Sequence, residues 1–151
     1  MTAPLPDNIW WTTRGIPPSH PSVRGTMWRL RALTAIGHSP ERIAAALGRR
    51  VTARQIRQIR NGSATTVSLT LRRRIAWLYE AWWDKVPPTC TPAELHAQAV
   101  ALGLAKKMRW CTGAGLDDDE LDQPGFVPKA GWQPATGTGL AGDRPLVGVP
   151  R

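Results

Sequence analysis

Apolar positions recur at helical spacing along most of this chain, and glycine or proline marks the breaks between the stretches. The clearest stripe is Leu71, Ile75, Leu78, Tyr79 and Trp82, at i, i+4, i+7, i+8 and i+11. It predicts a long helix that starts after the "GSATT" turn and ends near Asp84. Met27, Leu30, Leu33 and Ile36 predict an earlier helix from about Val23 to Ile36, with Gly37 past its end. Between them, "SPERIAAALG" reads as a short helix. Ser39 caps it, Pro40 takes the first turn, Glu41 faces the positive helix end and Gly48 stops it. Ile43, Ala44 and Leu47 form its inner face. "VTARQIRQIRNG" predicts another helix, capped by Thr52, running from Ala53 to Arg60 or Asn61 and ended by Gly62. A fifth helix opens on the capping box Thr91-Pro92-Ala93-Glu94. Its expected inner face is Leu95, Ala99 and Leu102, and its expected stop is Gly103.

The expected architecture is therefore all-α: a helix-turn-helix-containing bundle of four to five helices, with an irregular N-terminal arm and a disordered C-terminal tail. Residues 1–22 hold five prolines and the pair Trp10-Trp11, which suits an arm. Residues 23–84 form the helix-turn-helix domain with its long fourth helix. Residues 85–124 are expected as a helical and acidic appendage. From 125 to 151 the chain is rich in Gly, Pro and Thr with few apolar anchors.

Charge changes the picture. The net charge is +9, but its distribution tells more. From Arg24 to Arg74 there are twelve arginines and one acid, Glu41, whereas the remainder holds eight basic and ten acidic side chains. A basic segment beside a mildly acidic remainder is the footprint of a polyanion binder. Eight tryptophans in 151 residues must also be buried or bound to something. No apolar run approaches the ~20 residues of a membrane span, and the N-terminus lacks the pattern of a secretory signal. A cytoplasmic, reducing setting is expected, with Cys90 and Cys111 as free thiols. Cys90, His96 and Cys111 are too few, and lack a paired C-x2-C, for a zinc site, so neither metal nor cofactor is expected. The three histidines lie near no nucleophile–base pattern and no phosphate-binding glycine loop follows a strand. Catalysis is therefore not expected.

The candidate chemistry lies in the third helix, which has no acid. With Ile56 and Ile59 inward, its opposite side carries Arg54, Arg57, Gln58 and Asn61, with Gln55 and Arg60 on the flanks. Arg can pair bidentately with guanine, and Gln or Asn with adenine, in the major groove of duplex DNA. Arg54, Gln55 and Gln58 are the expected base readers. Arg49, Arg50, Arg57, Arg60, Asn61, Arg72 and Arg73 are the expected phosphate contacts. A plain solvated face is the alternative for "LRRR" (Leu71 to Arg74). Trp77, opposite the apolar stripe, is expected either to be covered by the arm or fifth helix or to meet a partner. The acidic run Asp117 to Asp122 reads as a solvated turn, or as a partner for the arginine face.

"ERIAAALGRRVTARQIRQIRNG" resembles the helix-turn-helix of small phage and bacterial repressors, through Ile43-Ala44, Leu47-Gly48, Val51-Thr52, Ile56 and Ile59. Arg49 and Arg50 lengthen its turn by about two residues relative to the usual motif. Together with "LRRRIAWLYEAWWDKVPP", "ALGLA" and "LDDDELDQP", the stretch from Gly25 to Pro124 is similar to small helix-turn-helix proteins of actinobacteria and their phages. The resemblance implies DNA binding. With the outward face of the third helix, the expectation is a sequence-specific reader of double-stranded DNA, a transcriptional regulator of phage or prophage type, and the small footprint of one such unit adds the expectation of a homodimer. The alternatives are a packaging or recombination subunit of small-terminase or excisionase type, and a protein-interaction adaptor that uses the Trp-rich helix.

Overall fold

The computed structural model describes residues 18–116 and 120–128. These form five α-helices and no strand: α1 (Val23–Ala35), α2 (Pro40–Leu47), α3 (Ala53–Asn61), α4 (Leu69–Trp82) and α5 (Pro92–Met108). A 3-10 turn follows at Gly113–Gly115. Trp10, Trp11 and nearly all of the glycine- and proline-rich tail lie outside the described residues.

Each helix begins where a hydroxyl can satisfy its first free N–H groups. Ser22 caps α1, Ser39 caps α2 and Ser68 caps α4, each hydroxyl oxygen accepting from the backbone three residues on. Thr52 and Thr91 complete capping boxes with Gln55 and Glu94. Gly62 closes α3 in the left-handed region, at φ 85°, where a side chain would be strained. α4 stops two residues before the expected Asp84, and Pro87 and Pro88 follow.

α1 is the central element and packs against α3, α4 and α5, while α2 packs against α3 and α4. The core is the set of apolar faces read from the sequence: Leu30 and Leu33, Ile43 and Leu47, Ile56 and Ile59, and Ile75, Leu78 and Tyr79. Ile36 falls past the end of α1 and is only half-buried. Trp77 is half-buried and packs on this core.

α5 departs from expectation in phase and in length. Its buried residues are Ala101 and Ala105, while Leu95 and Ala99 are exposed and Leu102 is half-buried. Gly103 sits inside the helix on an open surface, where a Cβ would meet nothing, and the chain turns instead at Arg109, at φ 60°. A helix that is apolar on all sides gives no reliable phase, since any side can be inward.

The stretch expected as an appendage enters the core. Trp110 packs on Ala35 and Ala105, and Cys111, Leu116 and Leu121 join the main cluster. Asp122 then reaches α1, where both its oxygens accept from Arg29 at 2.9 and 2.8 Å. Arg29 is 1% exposed. Asp122 also accepts from the Ser22 N–H at 2.9 Å and the Ser22 hydroxyl at 3.2 Å. α1 has no acid in its own first turn, so a carboxylate from 100 residues later supplies the negative charge that a helix N-terminus favours. Gly25 makes this possible, because a Cβ there would collide with Asp122 Oδ1. Of the acidic run, Asp117–Asp119 lie outside the described residues, Glu120 is exposed, and Asp122 meets an inward arginine of α1 instead of the outer face of α3.

His38 ties α2 to the segment after α4. Its Nε2–H donates to the Lys85 carbonyl at 2.6 Å and its Nδ1 accepts from Arg42 Nε at 3.2 Å. The ring stacks on Trp82 at 4.7 Å, and Arg42 lies over the same indole at 4.6 Å. Burial pushes the His38 pKa down to about 4; the Lys85 bond raises it and the Arg42 charge lowers it further. Folding stability tied to this histidine is then complete above pH 6.5 and falls as pH drops towards about 4. The shift corresponds to a loss of about 3 kcal/mol. Urea unfolding at pH 7 and pH 4.5 should record most of that loss, and His38→Gln should flatten it. A wild-type midpoint independent of pH in this range would contradict the assignment.

Candidate nucleic-acid interface

The outer face of α3 is built from the inside. Ile56, Ile59 and Arg60 are its buried residues, which turns Arg54, Gln55, Arg57, Gln58 and Asn61 outward. Its first turn is fixed by the Thr52–Gln55 box, and its last by Arg31 of α1, whose Nε donates to the Arg60 carbonyl at 2.7 Å. Both ends of this nine-residue helix are therefore anchored while the face between them is open.

Arg60 corrects the sequence reading. It was expected among the phosphate contacts, yet it is only 4% exposed. Its guanidinium lies 5.3 Å over the Trp110 ring and its Nε donates to Asn61 Oδ1 at 3.3 Å. Burial lowers its pKa, as do the nearby Arg57 and Arg31 charges, while Glu41 raises it. Arg31 lies 5.2 Å over both Trp28 and Trp110. Two tryptophans and two arginines thus form an interleaved stack behind the end of α3. The tryptophan excess was legible in the composition; this use of it was not.

The other expected contacts divide by how much of each side chain is already committed. Arg54, in the first turn of α3, and Gln58 are exposed. Gln55 is exposed, but its Oε1 accepts from the Thr52 N–H at 2.9 Å, so only its amide N–H groups point elsewhere. Arg49 and Arg50 are exposed in the turn, which is closed by Val51 N–H donating to the Gly48 carbonyl at 3.2 Å. Arg57 Nη1 bonds Glu41 Oε2 of α2 at 2.8 Å, so the face of α3 is acid-free in sequence but not in space. Arg72 donates to the Val67 and Pro21 carbonyls at 2.9 and 2.7 Å, and Arg73 donates to the Ser19 carbonyl at 2.6 Å. These two strap residues 19–21 along α4, a structural use that the expectation of phosphate contact did not include; Arg73 stays exposed.

Elsewhere the chemistry is sparse. Burial pushes the Cys111 thiol up to about 11, so it stays protonated at neutral pH, and Cys90 is exposed. Among the described residues no three His, Cys, Asp or Glu side chains gather as metal ligands. No helix of the described residues is long and apolar enough to cross a membrane. A cleft of about 510 Å³ is lined from α2 by Arg42, Ala45 and Ala46, from α4 by Trp82, and from α5 by Ala97 and Gln98. Comparison with protein families, characterised proteins and solved structures finds no match to this chain.

Proposed function

We propose that this protein binds double-stranded DNA, with α3 in the major groove, as a sequence-specific regulator of transcription of phage or prophage type in a bacterial cytoplasm. One observation carries the reading. α3 is anchored at both ends and along its inner face, yet it presents Arg54 and Gln58 to solvent. Such side chains gain little for the fold by standing there, and they are the types that pair with base edges. Arg49 and Arg50, exposed in the turn that leads into α3, suit phosphates.

Anisotropy titration of labelled duplexes tests this. The logarithm of the affinity should fall linearly with the logarithm of salt, with a slope of about −0.9 for each phosphate neutralised. On a duplex selected from a random library, Gln58→Ala should cost about 1–3 kcal/mol, with little change on scrambled DNA. An unchanged ratio between the two duplexes would remove Gln58 from the base readers. Absence of salt-dependent binding to any duplex would remove the function.

A single reading helix has a small footprint, so the reading includes a homodimer. Leu95 and Val100 on α5, each 56% exposed, support assembly through that helix. The same residues favour the second reading, a subunit of a packaging or recombination complex. Sedimentation mass separates a two-fold dimer from a ring.

A further inference from the structure

Glu41 is the one acid between Arg24 and Arg74, and its carboxylate lies against the face that would meet DNA. It stands in the first turn of α2 and reaches Arg57 on α3 at 2.8 Å. Both side chains are open to water, at 67% and 45% exposure. An exposed pair of this kind is worth about 0–1 kcal/mol, too little to explain the arrangement by stability. Partial burial pushes the Glu41 carboxyl up, but its backbone N–H, the Arg57 bond and the charges of Arg57 and Arg60 outweigh this and hold it below its ordinary value. It is therefore ionised at neutral pH.

A carboxylate placed there works against an arginine that only neutralises phosphate, because it repels the DNA backbone and offsets the cation. It works for an arginine whose direction matters. Glu41 takes Nη1 alone, and the edge formed by Nε and Nη2 has no partner among the described residues. That edge carries two parallel N–H donors, the pattern that matches guanine O6 and N7. Arg57 lies one turn beyond Arg54 and adjoins Gln58, both exposed on the same face. When DNA excludes water from this face, the weak exposed pair becomes a strong one, and the fork is held where docking leaves it.

We propose that Glu41 is a positioning residue that aims the free edge of Arg57 at a guanine, which moves Arg57 from the phosphate contacts to the base readers. The proposal rests on the reading of the chain as a duplex-DNA binder. It assigns a role to each partner and predicts effects of opposite sign for one substitution.

The test uses the full chain, the duplex enriched from a random library, single-base-pair variants of that duplex, and a scrambled duplex. Glu41→Gln removes a negative charge from the DNA face, so binding to the scrambled duplex should tighten severalfold at low salt. The ratio of selected to scrambled affinity should fall about tenfold, with discrimination lost at one G·C pair. Arg57→Lys keeps the charge but not the fork, so scrambled binding should persist while the same G·C preference disappears. Both positions are exposed, and circular dichroism with urea unfolding verifies that the variants fold. Glu41→Gln tightening both duplexes alike, or Arg57→Lys leaving the ratio unchanged, would overturn the assignment and leave DNA binding intact. No salt-dependent binding of the wild type to any duplex would overturn both.

Discussion

Asp122→Ala should lower folding stability by about 3–5 kcal/mol, the cost of leaving a buried charge without its partner. Arg29 is 1% exposed and donates both Nη groups to this carboxylate, and its Nε has no acceptor among the described residues. Removing the carboxylate leaves the whole guanidinium inside the fold with nothing to receive its hydrogens. The Ser22 N–H and hydroxyl lose their acceptor as well, so the start of α1 loosens. A small domain has about 5–15 kcal/mol in all, and a loss of this size brings it near the unfolding threshold. Equilibrium urea unfolding measures it. The double variant Arg29→Met with Asp122→Leu should recover much of the loss, because an apolar pair has no charge to strand. If Asp122→Ala costs under 1 kcal/mol, the pair is solvated and does not hold the end of the chain to α1. Acid acts on the same contact. Burial pushes the Asp122 carboxyl up, but the Arg29 hydrogen bonds and charge and the Ser22 donors outweigh it and lower its pKa from 3.8. Its contribution is therefore present above pH 3.8 and is lost as pH falls below that, after the His38 contribution has gone.

How much of this was legible in the sequence depends on how local each signal is. α2, α3 and their boundaries followed from Ser39, Pro40, Gly48, Thr52 and Gly62, because a cap satisfies backbone groups within three residues of itself. The stripe from Leu71 to Trp82 fixed the inner face of α4 in the same way. α5 had a cap that could be read but no face that could, since Leu95 and Ala99 on its exposed side are as apolar as Ala101 and Ala105 on its buried side. The arginines show the limit most clearly. Arg29, Arg31 and Arg60 were counted in the basic footprint, although one is locked to Asp122 and two are stacked on tryptophans. Charge adds up in a sequence whatever its direction. Only the turn of α3 around Ile56 and Ile59 shows that Arg60 points inward while Arg54 and Arg57 point out. The candidate face was therefore legible as a set of residue types, and its final membership was not.

The stack behind α3 is where fold and proposed function meet, and Trp110→Ala is the variant that tests the connection. Trp110 is 4% exposed and receives Arg31 on its ring at 5.2 Å and Arg60 at 5.3 Å. Truncating a buried tryptophan to alanine costs about 3–5 kcal/mol through lost burial and the cavity left behind. Here the effect should also be directional. Arg60 is the last inward residue of α3, and Arg31 holds the Arg60 carbonyl at 2.7 Å. Without the indole, Arg60 loses the ring on which it is stacked and turns towards water, Arg31 keeps only Trp28, and the clamp on the end of α3 weakens. Hydrogen exchange should therefore rise more at the Gly62 and Ser63 amides, which bond back to Ile59 and Gln58, than at the Trp83 amide that closes α4. Trp110→Phe keeps an aromatic face and should retain most of the protection with a smaller stability loss. Selected-duplex affinity, measured at a temperature where the variant is folded, should fall further than scrambled affinity, because base reading needs a fixed helix and phosphate contact does not. Equal loosening of α3 and α4, or an unchanged affinity ratio in the folded variant, would mean that Trp110 stabilises the bundle without aiming its reading helix.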